Sequence, residues 1–462
     1  MIEIEGEYTT ASVYGDEEMF DEAFFNQVQD IVNHEGFRDN ISIMPDGHAG
    51  AGAVIGFTMP LKNRITPNVV GSDIGCGVTA VNIGTHSTGE MWTPSEIDEK
   101  IRSAVPMGLG ATNSDPDYHI VNDFPWDECQ SILDNYDLDI NNDYGKEYFM
   151  DLCNRVGLDV NKVIASMGSL GSGNHFFEFS KSKQTGDNWL VVHSGSRCVG
   201  GAVASYWQEK ASEKKLATSV LKSIDDWMWE YIKFEPDEHY SDVLDWIQGG
   251  KGESFYKMNK IREDFDGEEI EEKRQEFVSL IPDSNRNKEL DYLEGEALEQ
   301  YIIDMIFAQQ YARENRKEML RSACESIDVE MGEIIDSIHN YIDFRDGIIR
   351  KGATRAGVGE RLVIPFNMAE GTIICRGKGN VEYNNSAPHG AGRRGSRRWA
   401  YREFDVDQFE EEMKGVSSFN DKEEVLDEIP SAYKSSDDIL RWIEPTATVE
   451  EELIPIVNMK GE

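Results

Sequence analysis

Basic residues are scarce in this chain: 45 lysines and arginines stand against 87 aspartates and glutamates over 462 residues, a net charge of −42. That balance excludes the broad positive footprint on which indiscriminate nucleic-acid binding depends, so any contact with phosphates must be confined to a local patch. Cysteine is also sparse. The six, at positions 76, 129, 153, 198, 324 and 375, are scattered and form no CxxC pair, which excludes a disulfide framework and points to a reducing compartment, the cytoplasm. No apolar run approaches the roughly 20 residues a membrane helix requires, so no membrane partner is expected. The opening "MIEIEGEYTT" lacks the basic-then-apolar order of a signal peptide.

What is present is a hydrophobic share of 39% with charge spread throughout, the mark of a soluble globular protein. Short β-branched runs alternate with glycine turns in "ISIMPDGHAGAGAVIGFTMP" and "NVVGSDIGCGVTAVNIG", and the pattern recurs in "ASMGSLGSGNHFFEF" and "WLVVHSGSRCVGGA". It resumes after residue 340 with "GIIRKGATRAGVGERLVIPF" and "GTIICRGKGNVEY". Between these lies a mainly helical stretch, 203–335. It includes "GEALEQYIIDMIFAQQYARENRKEMLRSACESI", with apolar residues at helical spacing. Much of the acid falls in candidate helices such as "DEHYSDVLDW", "DGEEIEEKRQEF" and "DQFEEEMKG", which read as solvated faces. The expected fold is α+β: one domain over 1–462, with a β-rich, sandwich-like core flanked by helices and 203–335 as a helical insertion within it.

Chemistry-bearing residues gather in the strand-loop segments. Five of the nine histidines, His48, His175, His193, His339 and His389, lie there or where those segments resume, each beside Gly, Asn, Asp or Ser. A single histidine is usually structural. Five in similar loops point to a metal centre, because such centres draw ligands from distant parts of a chain. "SDIGCG" sets Asp73 and Cys76 three residues apart in a glycine-bounded turn, so a carboxylate and a thiolate can enter one site. A set of Asp, Cys and three His suits Mn²⁺, Zn²⁺, Co²⁺ or Fe²⁺. "GSLGSGNHFFEF" lacks the Lys-Ser/Thr of a phosphate loop, yet Asn174 and Glu178 can offer an amide and a carboxylate to a nucleotide. In "NNSAPHGAGRRGSRR", glycines around His389 let the backbone come close to a partner. Arg393, Arg394, Arg397 and Arg398 mark that partner as anionic, and "RKGATRAG" adds Arg350, Lys351 and Arg355 as a second anion contact.

Together these segments resemble the RtcB-type RNA-splicing ligases, which join RNA 3′-phosphate or 2′,3′-cyclic phosphate ends to 5′-hydroxyl ends. The strings that carry the resemblance are "MPDGHAGAGAVIG", "GSDIGCG", "GSGNHFFE", "HSGSR", "HNY", "RKGA", "RGKGN", "HGAGRRGSR", "AYK" and "MKG", in the family's order along nearly the whole chain. The resemblance implies two Mn²⁺ ions held by Asp73, Cys76, His175, His193 and His339, with Cys76 as the bridge. It implies GTP as cosubstrate and His389 as the nucleophile that takes its guanylate. The matching nucleotide contacts are Asn174, His175, Phe176, Phe177, Glu178, His339, Asn340, Pro365, Phe366, Asn367, Met368, Thr372, His389, Gly390, Ala391, Gly392 and Lys460. Arg197, Lys351, Arg393 and Arg397 match positions that hold RNA phosphates, and Asp46 and His48 would stand beside the metals. The resemblance further implies tRNA-like broken RNA as substrate, an archease-like activator and a monomer. "IPFNMAEGT" departs from the family, which carries a smaller loop there, and with the acidic charge marks a divergent branch. Two rival readings are a metal-dependent phosphodiesterase that has lost ligation and a noncatalytic RNA-end-binding protein. The first has no use for His389, Lys460 and the intact "HGAGR", and the second has none for the five metal-type residues and the nucleophile.

Overall fold

A computed structural model describes residues 1–85, 92–114, 123–138, 140, 144–233, 256–280 and 288–461. The acidic segment "DEHYSDVLDW" lies outside the described residues. Two large sheets carry the chain. The first has six strands in the order β1 (Ile2–Glu5), β2 (Thr10–Val13), β3 (Ile41–His48), β4 (Ile55–Pro60), β12 (Ile348–Lys351) and β11 (Asn340–Asp343). The second has seven strands, all antiparallel: β10 (Ile334–Ile338), β6 (Gly77–Gly84), β8 (Asn188–Ser194), β7 (Phe176–Ser182), β17 (Ala447–Lys460), β15 (Gly371–Gly377) and β14 (Arg361–Asn367). Short pairs β5 (Arg64–Ile65) with β9 (Leu293–Glu294), and β13 (Ala353–Arg355) with β16 (Ser386–Pro388), complete the strands. The architecture is α+β, as expected. The larger sheet is not flat: its two edges approach, and the Val363 amide of β14 donates to Ser337 Oγ of β10 at 2.8 Å.

The period-2 pattern of the strands sorts their residues between two cores. Val78, Phe176, Trp189, Val191, Ile335, Val363, Ile374 and Leu453 meet inside the curled sheet. The alternate residues Phe177, Phe179, Leu190, Val192, Val457 and Met459 face outward against Met319, Leu320 and Ala323 of the helix Glu296–Ser326.

That helix is buried at every position from Tyr301 to Ala312, so it belongs to the main core. A helix covered on every side is held within the core and not laid across the surface. Residues 217–233 and 256–280 differ: Tyr231, Tyr256 and Phe277 anchor a small core of their own, with Tyr256 and Phe277 stacked at 4.8 Å. The acidic run 266–277 forms much of the helix Glu268–Ser279, where only Phe277 is buried.

One structural fact places the site. β10 belongs to the seven-stranded sheet and β11 to the six-stranded one, and His339 is the single residue between them. The chain changes sheets at a candidate ligand.

Candidate active site

A single row of side chains crosses four strands of the curled sheet. Val78, His193, Phe176 and Lys460 are direct partners in the ladders β6–β8, β8–β7 and β7–β17. Glu178 and Asn458 are partners one step along, and a step of two keeps them on the same face. Three motifs far apart in sequence thus reach one end of one sheet through register alone. Cys76 sits just before β6, and His339 is fastened beside it by its amide, which donates to the Cys76 carbonyl at 2.9 Å.

Around that point the candidate ligands converge. Cys76 Sγ lies 3.3 Å from His193 Nε2 and 3.5 Å from His175 Nε2, and the ligand atoms of these three residues all fall within 4.8 Å of one another. His193 Nε2 is 3.3 Å from His339 Nε2, and His175 Nε2 is 3.1 Å from Asp73 Oδ2. Donors about 2.1 Å from one ion at tetrahedral angles stand roughly 3.4 Å apart, which is the spacing seen here. His193 Nδ1 donates to the Asn174 carbonyl at 3.2 Å, which leaves its Nε2 lone pair free. Burial, reinforced by neighbouring histidines, holds His193 and His339 well below the ordinary imidazole range, so both rings are neutral. Burial alone would raise Asp73, but hydrogen bonds from His175 and Cys76 outweigh it and keep the carboxyl low. Without a cation, burial and Asp73 push the Cys76 thiol well up. Two neutral nitrogens, a thiol and a carboxylate pointing at one another are poorly satisfied alone. They fit a divalent ion well.

The nucleophile candidate borders this cluster, its ring centroid 4.7 Å from that of His339. His389 Nδ1 donates to Asp46 Oδ2 at 2.6 Å, and its backbone amide donates to the same oxygen at 3.1 Å. The short bond to a fully buried carboxylate fixes a proton on Nδ1, so the neutral tautomer it selects carries the lone pair on Nε2. Asp46 is itself anchored by Lys434, whose ammonium donates to the carbonyls of Pro45 and Gly47 at 3.1 and 2.5 Å. Gly392 follows with φ +74°, and a Cβ there would stand 2.1 Å from the Asp46 carbonyl. The glycines read as a close-approach signal therefore serve first to pack the histidine loop on β3. His48, pushed down to about 4 by burial, bonds the Asp46 carbonyl through Nδ1 at 3.0 Å.

A pocket opens over His389. Its walls include Asn174, Phe176, Glu178, Pro365, Phe366, Asn367, Met368, Gly390, Ala391, Gly392 and Lys460, with His48 and His193 also lining it. Glu178 is buried and pushed up to about 7 by that burial, although Ser180 Oγ and Asn458 Nδ2 donate to it at 2.6 and 2.9 Å. The Asn367 side chain is engaged in its own turn, accepting from the amides of Ala369 and Glu370 at 3.0 and 2.9 Å. Among the described residues, three buried polar atoms here have no hydrogen-bond partner: Asp46 Oδ1, His175 Nδ1 and Asn458 Oδ1. Such atoms are rare in folded proteins unless a ligand completes them.

Some expected contacts lie elsewhere. Phe177 points away from the pocket into the outer core, because it alternates with Phe176 along β7. Lys351 spends its three donors on the carbonyls of Ala51, Ala53 and Asn68 at 2.7–2.9 Å, so it fastens a loop and has none left for a phosphate. Asn340 lies behind Asp73, bonding its carbonyl at 3.4 Å and accepting from the Gly352 amide at 3.0 Å. Arg197, at φ +56°, bonds Ser169 Oγ at 3.1 Å. Of the second basic group, Arg350 is fully buried against Asp343 and Asp346. Arg393 and Arg397 do border the pocket, each 3.1 Å from Glu428 Oε1.

Glu428, Tyr433 and Asn458 also line the pocket, and the sequence had not singled them out. Lys460 Nζ donates to Glu428 Oε2 at 2.7 Å, and the Tyr433 hydroxyl donates to the same oxygen at 2.7 Å. Burial would raise Glu428, but Lys460, Arg397 and Arg393 hold it down to about 2. The available signals were Asn458 two residues before Lys460 on a strand, and the acid pair ahead of "AYK".

A family model described as tRNA-splicing ligase RtcB matches residues 27–246 and 259–461. The chain belongs to the RtcB family. It is 27% identical over 438 residues to the RNA-splicing ligase RtcB of Escherichia coli K12, covering 91% of this chain and 90% of that protein. It is 25% identical over 497 residues to the tRNA-splicing ligase RtcB of Thermococcus kodakarensis, covering 93% and 90%. The family match runs through both sheets and every motif that meets at the pocket. Among the described residues, no helix of this RtcB-family chain is long and apolar enough to cross a membrane.

Proposed function

We propose that this chain is a cytoplasmic, monomeric RNA ligase that joins 3′-phosphate or 2′,3′-cyclic phosphate ends to 5′-hydroxyl ends, in tRNA splicing or RNA repair. It uses GTP and two Mn²⁺ ions, acts as one catalytic domain over 1–462 with 203–335 as its helical excursion, and takes an archease-like activator. The observation that carries the reading is His389, held by Asp46 with Nε2 free, in a pocket that adjoins the Cys76–His175–His193 cluster.

The chemistry follows from what the residues can do. Asp73, Cys76, His175, His193 and His339 would hold the ions, which supply charge neutralisation for a triphosphate and its leaving pyrophosphate. Phe176 presents a ring to the base, and ionised Glu178 accepts from guanine N–H groups. His389 Nε2 attacks the α-phosphorus, the bond to the β-phosphate oxygen breaks, and pyrophosphate departs. Asp46 keeps the proton on Nδ1 and stabilises the positive charge that develops on the ring. Guanylate then passes from His389 to an oxygen of the RNA 3′-phosphate, breaking the P–N bond. The 5′-hydroxyl attacks the activated 3′-phosphate, loses its proton, and GMP leaves. Arg197, Arg393 and Arg397 serve the RNA phosphates. Asp427 and Glu428 hold the last two in place and give way to a stronger anion.

The test is a joining assay on two RNA substrates, one with 3′-phosphate and one with 2′,3′-cyclic phosphate ends, each with 5′-hydroxyl ends and supplied with Mn²⁺ and GTP. Joined RNA that requires both is expected. Removal of a cyclic phosphate without joining, with or without an added activator, would establish a hydrolase in its place.

A further inference from the structure

The helix Glu296–Ser326 contributes none of the candidate ligands, yet residues 315 and 316 hold three of the four segments that do. Arg316 is fully buried. Its NH1 donates to the carbonyl of Gly75 at 2.7 Å and to that of Ser194 at 3.1 Å. Those carbonyls belong to the residue before Cys76 and the residue after His193. The other side of the guanidinium is fixed by Thr79 Oγ1 at 2.8 Å and by Asp336 Oδ1 at 2.9 Å, so its orientation is set.

The preceding residue, Asn315, is also fully buried; it adds the loop that leads to His175 and makes a second contact after His193. Its Oδ1 accepts from the amides of Gly168 and Ser169 at 2.8 and 3.2 Å, at the start of the loop that ends in His175. Its Nδ2 donates to the Gly195 carbonyl at 3.0 Å, inside "HSGSR". The loop carrying Asp73 and Cys76 lies directly on this helix. A Cβ on Gly75 would stand 2.7 Å from Ala312 Cβ and 2.9 Å from Gln309 Cα, which is why that turn tolerates only glycine.

We infer that Asn315 and Arg316 are positioning residues that pre-form the metal centre, holding three separate ligand loops in register from one helical turn. The inference rests on the metal reading given above. Its physical basis is that a planar guanidinium with five donors can span two carbonyls and two side chains at fixed angles, whereas lysine offers a point charge. Groups that orient metal ligands from behind commonly govern affinity as strongly as a ligand does. Among the described residues Arg316 donates to no ligand side chain; it acts on the metals through the backbone of the ligand loops and through its charge, which is felt at Cys76 and His339 and which Arg316→Lys retains.

The test uses the full chain with Mn²⁺ itself as the probe, in calorimetric titrations of wild type, Arg316→Lys and Asn315→Asp. Asn315→Asp keeps the acceptor for the 168–169 amides and removes the donor to Gly195, so it carries the test if Arg316→Lys does not fold. Asp304→Asn is the control. Asp304 is buried on the same helix and accepts from Tyr148, Arg155 and Trp207, away from the ligand loops. Mn²⁺ affinity should fall about 10–100-fold in the first two variants and stay within about threefold in the control. With Co²⁺ in place of Mn²⁺, the thiolate-to-metal absorption band should shift in Arg316→Lys and not in Asp304→Asn. Equal affinities and an unchanged band in the clamp variants would overturn the inference, as would an equal loss in the control. Absence of Mn²⁺ and Co²⁺ binding by the wild type would instead overturn the metal reading, and the clamp with it.

Discussion

Replacing Asp46 with asparagine keeps the shape of the side chain and removes only its charge. In the wild type a single oxygen, Asp46 Oδ2, accepts from both His389 Nδ1 at 2.6 Å and His389 N at 3.1 Å, in a fully buried setting. Asparagine can meet this arrangement in two ways. With its oxygen toward the ring, the tautomer survives and the charge-assisted bond becomes a neutral one. Hydrogen bonds to charged groups contribute about 1.5–3 kcal/mol, so weakening one that strengthens as the ring becomes cationic slows guanylylation roughly 10–100-fold. With its amide toward the ring, Nδ1 must accept, the proton moves to Nε2, and the nucleophilic lone pair is lost. The comparable change behind a serine-protease histidine lowers turnover about 10⁴-fold. The expected loss therefore lies between about 10-fold and 10⁴-fold. It should appear in single-turnover transfer of α-labelled guanylate to protein, with nucleotide affinity largely kept. Transfer within about threefold of wild type would show that Asp46 does not govern the nucleophile, and the orientation argument would fail.

Other outcomes follow from the same geometry. Glu178, pushed up to about 7 by burial, should give GTP binding that weakens about tenfold between pH 8 and pH 6 as the acceptor is protonated. Glu178→Gln should flatten that profile in equilibrium titrations. Because the folded carboxyl sits above its unfolded value of about 4.3, the nucleotide-free protein should lose stability as pH rises from there towards 7, seen as a falling melting temperature. Phe177→Ala should cost about 3–5 kcal/mol in chemical denaturation and leave nucleotide affinity intact, while Phe176→Ala, a residue of both the inner core and the pocket wall, should lower stability and nucleotide affinity together. Arg397→Ala should lower the slope of log affinity for RNA against log salt by about 0.7, whereas Lys351→Met should destabilise the 51–68 loop and leave that slope unchanged.

The sequence made the parts legible and left their assembly hidden. Glycine-flanked histidines and the Asp73–Cys76 turn announced a metal-type constellation; Asp73, Cys76, His175, His193 and His339 lie together, with His389 beside them and His48 bonded to the Asp46 carbonyl instead. The long helix was plain from its spacing. Its burial on every side was not, because an amphipathic period does not say how many neighbours a helix has. Phe177 was misjudged for a simpler reason: neighbouring residues on a strand face opposite ways, so "FF" cannot supply two rings to one pocket. Lys351 and Arg350 show the limit of reading basic residues as anion contacts. Their partners, carbonyls of residues 51–68 and the carboxylates of Asp343 and Asp346, come from other parts of the chain. Glu428 was invisible for the same reason, since only the fold brings Lys460, Arg393 and Arg397 to it.

The most direct measurement is mass analysis of the peptide containing His389 after the protein is incubated with Mn²⁺ and GTP, beside a His389→Ala variant. The account predicts one added guanylate on that histidine, stable to alkali and lost in acid as a phosphoramidate is, and none on the variant. A wild-type protein that joins RNA while His389 stays unmodified, or a variant that still takes up guanylate, would contradict it.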